Sequence, residues 1–309
     1  MDIDTLHSFV RTTWGIDGAF NGTRNKVHFF GDYALKLGNA VALQKSVCTT
    51  LMLLQEGIQV AEPLPSLHGD YVVSQNETGH MLSRRLAGEH IDPFSQHGAL
   101  YVEDIGSQTA RLHNALLHIE QKLELPVSSL GEELHGWIPA ALSLHGWNYI
   151  AQDEYQAAIQ DLAEWYRQLP MQPIHRDVHC GNMLYNQAHF SGFIDFDLAK
   201  RDVRLFDCAY FLAGLLANAA YPFPFTQQFS AQWLELCFAF VKGYQHISPF
   251  SLAEQEALPH LMACIELLFV ASSLRNNQDE LAQVAANLYR FYKAQRQALQ
   301  DIVYRTAKI

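Results

Sequence analysis

The sequence predicts an α+β fold: a small antiparallel sheet carrying one helix, followed by a mainly helical remainder. Two observations predict it. In the first third, apolar runs of strand length alternate with turns containing Gly, Asn and Asp. From about residue 100 onward, apolar residues recur every three or four positions over long stretches. A chain of 309 residues, 49% of them apolar, can bury a sizeable core and is long for a single domain. One large domain or two lobes is expected.

The elements follow in order. Lys26-Val27-His28-Phe29-Phe30 reads as a strand, Gly31-Asp32 as a tight turn and Tyr33-Ala34-Leu35-Lys36-Leu37 as a second strand. Residues 40–56 read as a helix closed by Gly57, a good helix-terminating residue. Tyr71-Val72-Val73-Ser74 and the run from His80 to Leu86 form an expected antiparallel pair, joined across Asn76-Glu77-Thr78-Gly79. Further on, Ile105, Thr109, Leu112 and Leu116 share one helical face, and residues 153–168 and 231–246 are amphipathic. In the latter, Trp233, Cys237, Phe240, Val241 and Tyr244 make one stripe, for which core packing is the expected role. Residues 261–274 and 280–304 continue the helical pattern. One hairpin interrupts it: Met183-Leu184-Tyr185 and the run from Phe190 to Ile194, around Asn186-Gln187-Ala188-His189.

Bulk properties exclude some functions. A formal charge of −11 argues against a nucleic-acid partner, which needs a basic face. It is compatible with a cationic small substrate, but acidity also serves solubility. The five cysteines form no CxxC pair, as expected of reduced thiols in the cytoplasm. The N-terminus shows no basic segment leading into an apolar run, so no secretory signal is expected. The longest apolar run noted, Cys208 to Ala220, is about a dozen residues and too short to span a bilayer.

The chemistry lies in His175-Arg176-Asp177-Val178-His179-Cys180-Gly181-Asn182 and Phe193-Ile194-Asp195-Phe196-Asp197. An acid and an amide five positions apart, with a second acid thirteen positions after the amide, suit phosphoryl transfer. Asp177 is the candidate for orienting an attacking hydroxyl and receiving its proton. Asn182, after a turn-permitting Gly181, can offer a carbonyl oxygen to a cation shared with nucleotide phosphates. Asp195 ends an apolar strand, where a bare carboxylate is costly to bury and a hard divalent ion relieves that cost. Asp197 assists as a further metal ligand or serves as a turn aspartate. Lys36 follows a Gly- and Asn-containing loop, Gly18-Ala19-Phe20-Asn21-Gly22-Thr23, whose backbone can cover phosphates while the lysine reaches their oxygens. His175 and His179 complete no zinc set; His175 reads as a packed brace, and His179 as either a site residue or a structural one. Asp207 is expected to cap the start of a helix beneath the catalytic loop. Three side chains, at 177, 182 and 195, are expected to converge on one divalent ion.

These segments resemble the aminoglycoside phosphotransferase and choline kinase superfamily. His175 to Asn182 resembles its catalytic loop, Ile194-Asp195-Phe196-Asp197 its counterpart of the kinase DFG segment, and Gly106 to His113 its helix before the insert. The resemblance implies a bilobal protein-kinase-like fold, with a nucleotide-binding, small antiparallel-sheet N-lobe over residues 1–86. A mainly helical C-lobe over 87–309 would hold the catalytic loop and acceptor-binding helices. It implies ATP and Mg²⁺ as cofactors and a small-molecule hydroxyl acceptor, with no membrane partner, in a monomer or homodimer. Asn21-Gly22-Thr23-Arg24-Asn25-Lys26-Val27 is similar to the nucleotide loop, and Lys36 stands at the phosphate-binding lysine. Ser83-Arg84-Arg85-Leu86 would be the hinge that meets adenine, which makes Arg84 and Leu86 nucleotide contacts. Helices around 135–168 and the C-terminal helices would wall the acceptor site. Two departures stand out. No Asp or Glu occurs from Tyr33 to Gln55, so the helix acid that should pair with Lys36 has no obvious candidate. The hinge also carries paired arginines. An ATP-dependent small-molecule kinase is the leading expectation, ahead of a nucleotide-binding regulator with little turnover and a kinase acting on protein side chains. Choline, ethanolamine, homoserine, methylthioribose, an aminoglycoside and a sugar all stand open as acceptors, as does GTP in place of ATP.

Overall fold

A computed structural model of the chain describes residues 3–24, 26–217 and 223–308. Asn25 of the expected nucleotide loop and the end of the apolar run at 218–220 lie outside the described residues. The order begins α1 (Ile3–Trp14), β1 (Phe20–Arg24), β2 (Val27–Phe30), β3 (Tyr33–Gly38), α2 (Ala40–Gln55), β4 (Pro63–Leu64), β5 (Val73–Gln75), β6 (Thr78–Arg84). It continues with α3 (Gly98–His118), α4 (Leu130–His135), α5 (Trp137–Leu144), α6 (Gln152–Tyr166), β7 (Met171–Ile174), β8 (Met183–Asn186), β9 (His189–Phe193), β10 (Lys200–Val203). The last helices are α7 (Leu205–Ala217), α8 (Gln227–Ile247), α9 (Leu252–Arg275), α10 (Asp279–Ala294) and α11 (Arg296–Thr306).

The chain divides into two compact units. The first comprises Met1–His90, Gln121–Leu125 and Gly181–Ala199, and the second Ile91–Glu120, Pro126–Cys180 and Lys200–Ile309. This division differs from a single cut after residue 86, because the β8–β9 hairpin falls with the N-terminal sheet. The reason is backbone hydrogen bonding: Phe193 N donates to Gln59 O at 2.9 Å, and Glu89 and Tyr185 exchange two bonds of 2.9 Å.

In the first unit the strands run in the order β1-β2-β3-β6-β4, all antiparallel, with β5 also paired to β6. Arg24, Val27, Lys36 and Met81 form one register row across four strands. The β5–β6 turn places Asn76 and Glu77 at φ 48° and 64°, the left-handed pair that a two-residue hairpin loop requires. Asn39 caps α2 by accepting from Ala42 N, and Gly57, at φ +78°, terminates it as expected. The core is built where Leu6, Val10 and Trp14 of α1 pack on Phe30, Leu35 and Leu82. Helix α1 was not anticipated, although those three residues already recur at a spacing of four.

The second unit is helical apart from the antiparallel β7–β10 ribbon, which pairs Ile174 with Lys200 and Gln172 with Asp202. Helices α3 and α8 cross closely because both are glycine at the contact. A Cβ on Gly243 would stand 1.9 Å from Glu103 O, and one on Gly106 2.1 Å from Phe240 O. Helix α9 packs against α5, α6, α7, α10 and α11. With a mean hydropathy of 1.7 over its best window, it is long and apolar enough to cross a membrane by composition, and it outruns the Cys208–Ala220 stretch. In this structure 83% of that window is buried in the protein, as a central core helix requires. The expected long helix over 280–304 is two helices, with the chain breaking at Gln295.

Candidate active site

In the second unit, β7 delivers the chain to the loop that begins at His175 and carries Asp177, and one buried carboxylate fixes the loop's start. Asp207 is fully buried; its Oδ2 accepts from His175 N at 2.9 Å and from His113 Nε2 at 3.0 Å, and its Oδ1 from Arg176 N at 2.8 Å. It is the third residue of α7 and reaches back to the loop, so it does not cap the helix. His113 Nε2 donates to Asp207, while its Nδ1 lies 2.7 Å from the Tyr244 hydroxyl. These bonds hold Arg176 at φ +71°, a conformation that costs a residue other than glycine about 1 kcal/mol or more. The Arg176 guanidinium is spent elsewhere: it pairs with Asp202 and with Glu133 at 2.7 Å, and covers the Phe206 ring at 3.6 Å. Asp177 is therefore not the surface partner of its neighbouring arginine.

Asp177 has a second-turn partner on α7. The Tyr210 hydroxyl donates to its Oδ1 at 2.8 Å, and His179 Nε2 stands 3.6 Å from its Oδ2. Burial alone would raise the carboxyl, but His179 and the Tyr210 hydrogen bond outweigh it and hold the group at about 2. The carboxylate is ionised at any physiological pH. Because the folded value lies below the unfolded one, the stability it contributes is present above the unfolded value of 3.8 and is lost as pH falls toward 2. Tyr210→Phe removes one donor, so the Asp177 carboxyl rises. We expect the acid limb of the kcat/KM profile to move to higher pH, with kcat at neutral pH lowered about 5- to 10-fold, the worth of one hydrogen bond. An unchanged profile in that variant would refute the role of Tyr210. Tyr210 escaped the sequence reading, although it lies one turn after Asp207 on the same face of α7.

In the first unit, the hairpin register brings the amide and the second acid together. Met183 pairs with Phe193, and Ile194 N donates to Asn182 O at 3.0 Å, so Asn182 and Asp195 occupy the same end of the hairpin. Asp195 has φ +69°, which turns its carboxylate off the strand line. Lys36 Nζ reaches Asp195 Oδ1 and Asp197 Oδ2, both at 2.7 Å. The acid missing from α2 is thus replaced by two acids from the far side of the sequence. Asp197 Oδ1 is buried and has no hydrogen-bond partner. Two carboxylates, that of Asp197 with a buried orphan oxygen, and the nearby Asn182 form an oxygen-donor set that fits a hard divalent cation. Among the described residues no group of three or more His, Cys, Asp or Glu could hold a metal alone.

The remaining candidates sit as follows. Asn21, Gly22 and Thr23 lie in β1 and not in a loop. A bulge at Gly22, with φ +121°, lets this Asn-Gly segment pair with β2. Asn21 Oδ1 accepts from Gly31 N at 3.0 Å, and the Thr23 hydroxyl bonds His28 Nδ1 at 3.0 Å. Beyond them Arg24 meets His90 at 2.6 Å. The hinge arginines gain a physical account. Arg84 donates from its backbone to Glu62 O at 2.8 Å and from Nε to Glu62 Oε2 at 3.1 Å. Arg85 donates from its backbone to Asp32 O at 2.8 Å, and its guanidinium bonds Gly31 O and lies over Phe29. The pair fastens the β2–β3 turn and the β4 approach to the end of β6. Leu86 follows, half-buried.

Known proteins resemble the chain in sequence and in fold. The homoserine kinase of Janthinobacterium sp. (strain Marseille) is 24% identical over 269 residues, covering 84% of this chain and 80% of its own. An amicoumacin kinase in complex with AMP-PNP, Ca²⁺ and Ami superposes with a TM-score of 0.69 at 16% identity, covering 94% and 93% of the two chains. A choline/ethanolamine kinase family protein from Mesorhizobium loti gives a TM-score of 0.65 at 18% identity, covering 98% and 99%. These likenesses establish the kinase-like α+β fold. The model of the family described as "Phosphotransferase enzyme family" matches residues 36–245, beginning at the lysine that grips Asp195 and Asp197. The chain belongs to that family, and is a small-molecule phosphotransferase with an alcohol group as acceptor.

Proposed function

We propose that the protein transfers the γ-phosphoryl group of ATP, with Mg²⁺, to a hydroxyl of a small metabolite or aminoglycoside-like acceptor. The observation that carries this reading is the Lys36–Asp195–Asp197 cluster with its buried, unpartnered Asp197 oxygen. Asn182, Asp195 and Asp197 would hold the magnesium, which when bound screens the phosphate charge and fixes the phosphates. Lys36 draws the phosphate oxygens into register, and the backbone of Asn21, Gly22 and Thr23 lies along them. The adenine is read at Leu86 and the Arg84 carbonyl, since the amides of Arg84 and Arg85 already donate within the protein. Asp177 orients the acceptor hydroxyl; as the new P–O bond forms and the bond to the β-phosphate oxygen breaks, the hydroxyl proton passes to its carboxylate. The enzyme so read is cytoplasmic, and monomeric or homodimeric.

The regulator reading drew on the absence of an acidic partner for Lys36, and that partner is supplied by Asp195 and Asp197. Homoserine is the first acceptor to test, because a homoserine kinase is similar over most of the chain. The test is ADP release from ATP and Mg²⁺ across homoserine, choline, ethanolamine, methylthioribose, aminoglycosides and sugars. Turnover confined to one class, and abolished by EDTA, is expected. Failure with every class while Mg·ATP still binds would overturn the reading in favour of a regulator.

A further inference from the structure

The Arg24–His90 pair lies outside the roles assigned above. Arginine only donates hydrogen bonds, so at 2.6 Å the His90 Nε2 must be the acceptor. The ring proton therefore sits on Nδ1, which donates to Met183 O at 3.1 Å. His90, anchored on the Met183 carbonyl, thereby steers the guanidinium. Among the described residues no carboxylate lies within ion-pair distance of Arg24, so its full positive charge stands uncompensated on an exposed edge strand.

The location of this charge is informative. Arg24 pairs with Val27, and Val27 with Lys36, so Arg24 and Lys36 share one register row. Directly opposed residues of antiparallel strands point to the same face, so both cations rise from one face of the sheet. Two inter-strand spacings separate their backbones by roughly 10 Å. Lys36 leans to Asp195 and Asp197; Arg24 leans through His90 to the carbonyl of Met183, the residue after Asn182. The two cations thus bracket the hairpin end that carries Asn182 and Asp195, all within the first unit. Lys36 is already shared between two carboxylates, and a triphosphate brings more negative charge than that one ammonium offsets.

We propose that Arg24 is a second phosphate-binding cation for the nucleoside triphosphate, with His90 as its positioning residue. This inference rests on the nucleotide reading above and adds to it a residue that Lys36 and the metal ligands do not replace. A planar guanidinium presents parallel N–H donors in a fixed fork that matches two oxygens of one phosphate, whereas an ammonium acts as a point charge.

The test compares wild type with Arg24→Ala, Arg24→Lys, His90→Ala, the Arg24→Ala/His90→Ala double variant and Lys36→Ala. Kinetics with Mg·ATP, calorimetric binding of Mg·ATP and of adenosine, and thermal melting are measured on each. Arg24→Ala is expected to raise KM for ATP about 10- to 30-fold, the range of a charge-assisted hydrogen bond, with acceptor KM, adenosine affinity and melting unchanged. Arg24→Lys should recover part of the loss. His90→Ala should weaken ATP about 3- to 5-fold in the wild-type background, and should add nothing to Arg24→Ala, as expected of a residue that acts through Arg24. An ATP KM within twofold of wild type for Arg24→Ala overturns the proposal, as does an equal loss of adenosine and ATP binding. Should wild type and Lys36→Ala both fail to bind Mg·ATP, the nucleotide reading itself fails. Should Lys36→Ala alone lose ATP while Arg24→Ala does not, only the role of Arg24 falls.

Discussion

Asp177→Ala lowers kcat by about 10³-fold and leaves Mg·ATP affinity within a factor of two or three of wild type, within the range general-base and positioning effects supply. The asymmetry follows from where the side chain spends its contacts. The Tyr210 hydroxyl donates to one carboxylate oxygen and His179 Nε2 stands 3.6 Å from the other, both within the second unit. Held at about 2, the carboxyl is a weak base toward the ground-state hydroxyl. Its contribution is chiefly to hold the acceptor oxygen in line, and it takes the proton only as the oxygen loses its basicity in bonding to phosphorus. Steady-state kinetics at saturating substrates, with nucleotide titration and a melting curve on the same sample, separate the two effects. Full turnover by a folded Asp177→Ala protein would discard the assignment.

Asp207→Ala destabilises the protein by about 3–5 kcal/mol, the range for stripping a buried charge from its partners. The substitution removes an acceptor shared by three N–H donors, from His175, Arg176 and His113, each of which is itself buried. Unsatisfied buried donors each cost about 1–3 kcal/mol, so the loss exceeds that of the cavity alone. The left-handed turn at Arg176 loses its restraint at the same time, so the residual folded enzyme should also be slower. A melting temperature lower by on the order of 10 °C is expected, and Asp207→Asn, which keeps part of the acceptor capacity, should fall between. A melting curve for Asp207→Ala that overlays wild type would sink this account.

Much of the fold was legible because it rests on periodicity and turn chemistry. The helical faces of α3, α6, α8 and α9, the β2–β3 and β5–β6 hairpins, and the β8–β9 hairpin all carry such signals. What escaped lacks them or hides them. Strand β1 contains Asn21-Gly22, a pair that marks turns, and only the Gly22 bulge makes it pair. The β7–β10 ribbon contains Pro173 and the charged Lys200-Arg201-Asp202, with no alternation to announce a strand. The α10–α11 break at Gln295 has neither Gly nor Pro. The candidates Asn182, Asp195 and Asp197 are drawn from order and spacing alone. The partner of Lys36 was not legible, because the search stayed within one helix while the nearer of the two acids, Asp195, stands 159 residues away in the chain. Tyr210 and His90 are bonded to Asp177 and Arg24 across 33 and 66 residues, distances at which spacing carries no information.

The bond from Lys36 to two aspartates has a consequence for reading mutants. Take the ammonium away and two like charges are left facing one another, one of them with an oxygen already walled off from water. Such a pair repels and is driven apart. On the proposed reading of the site, a neutral side chain at position 36 would therefore disturb the anchoring of the divalent ion as well as the grip on the nucleotide, a double lesion from a single exchange.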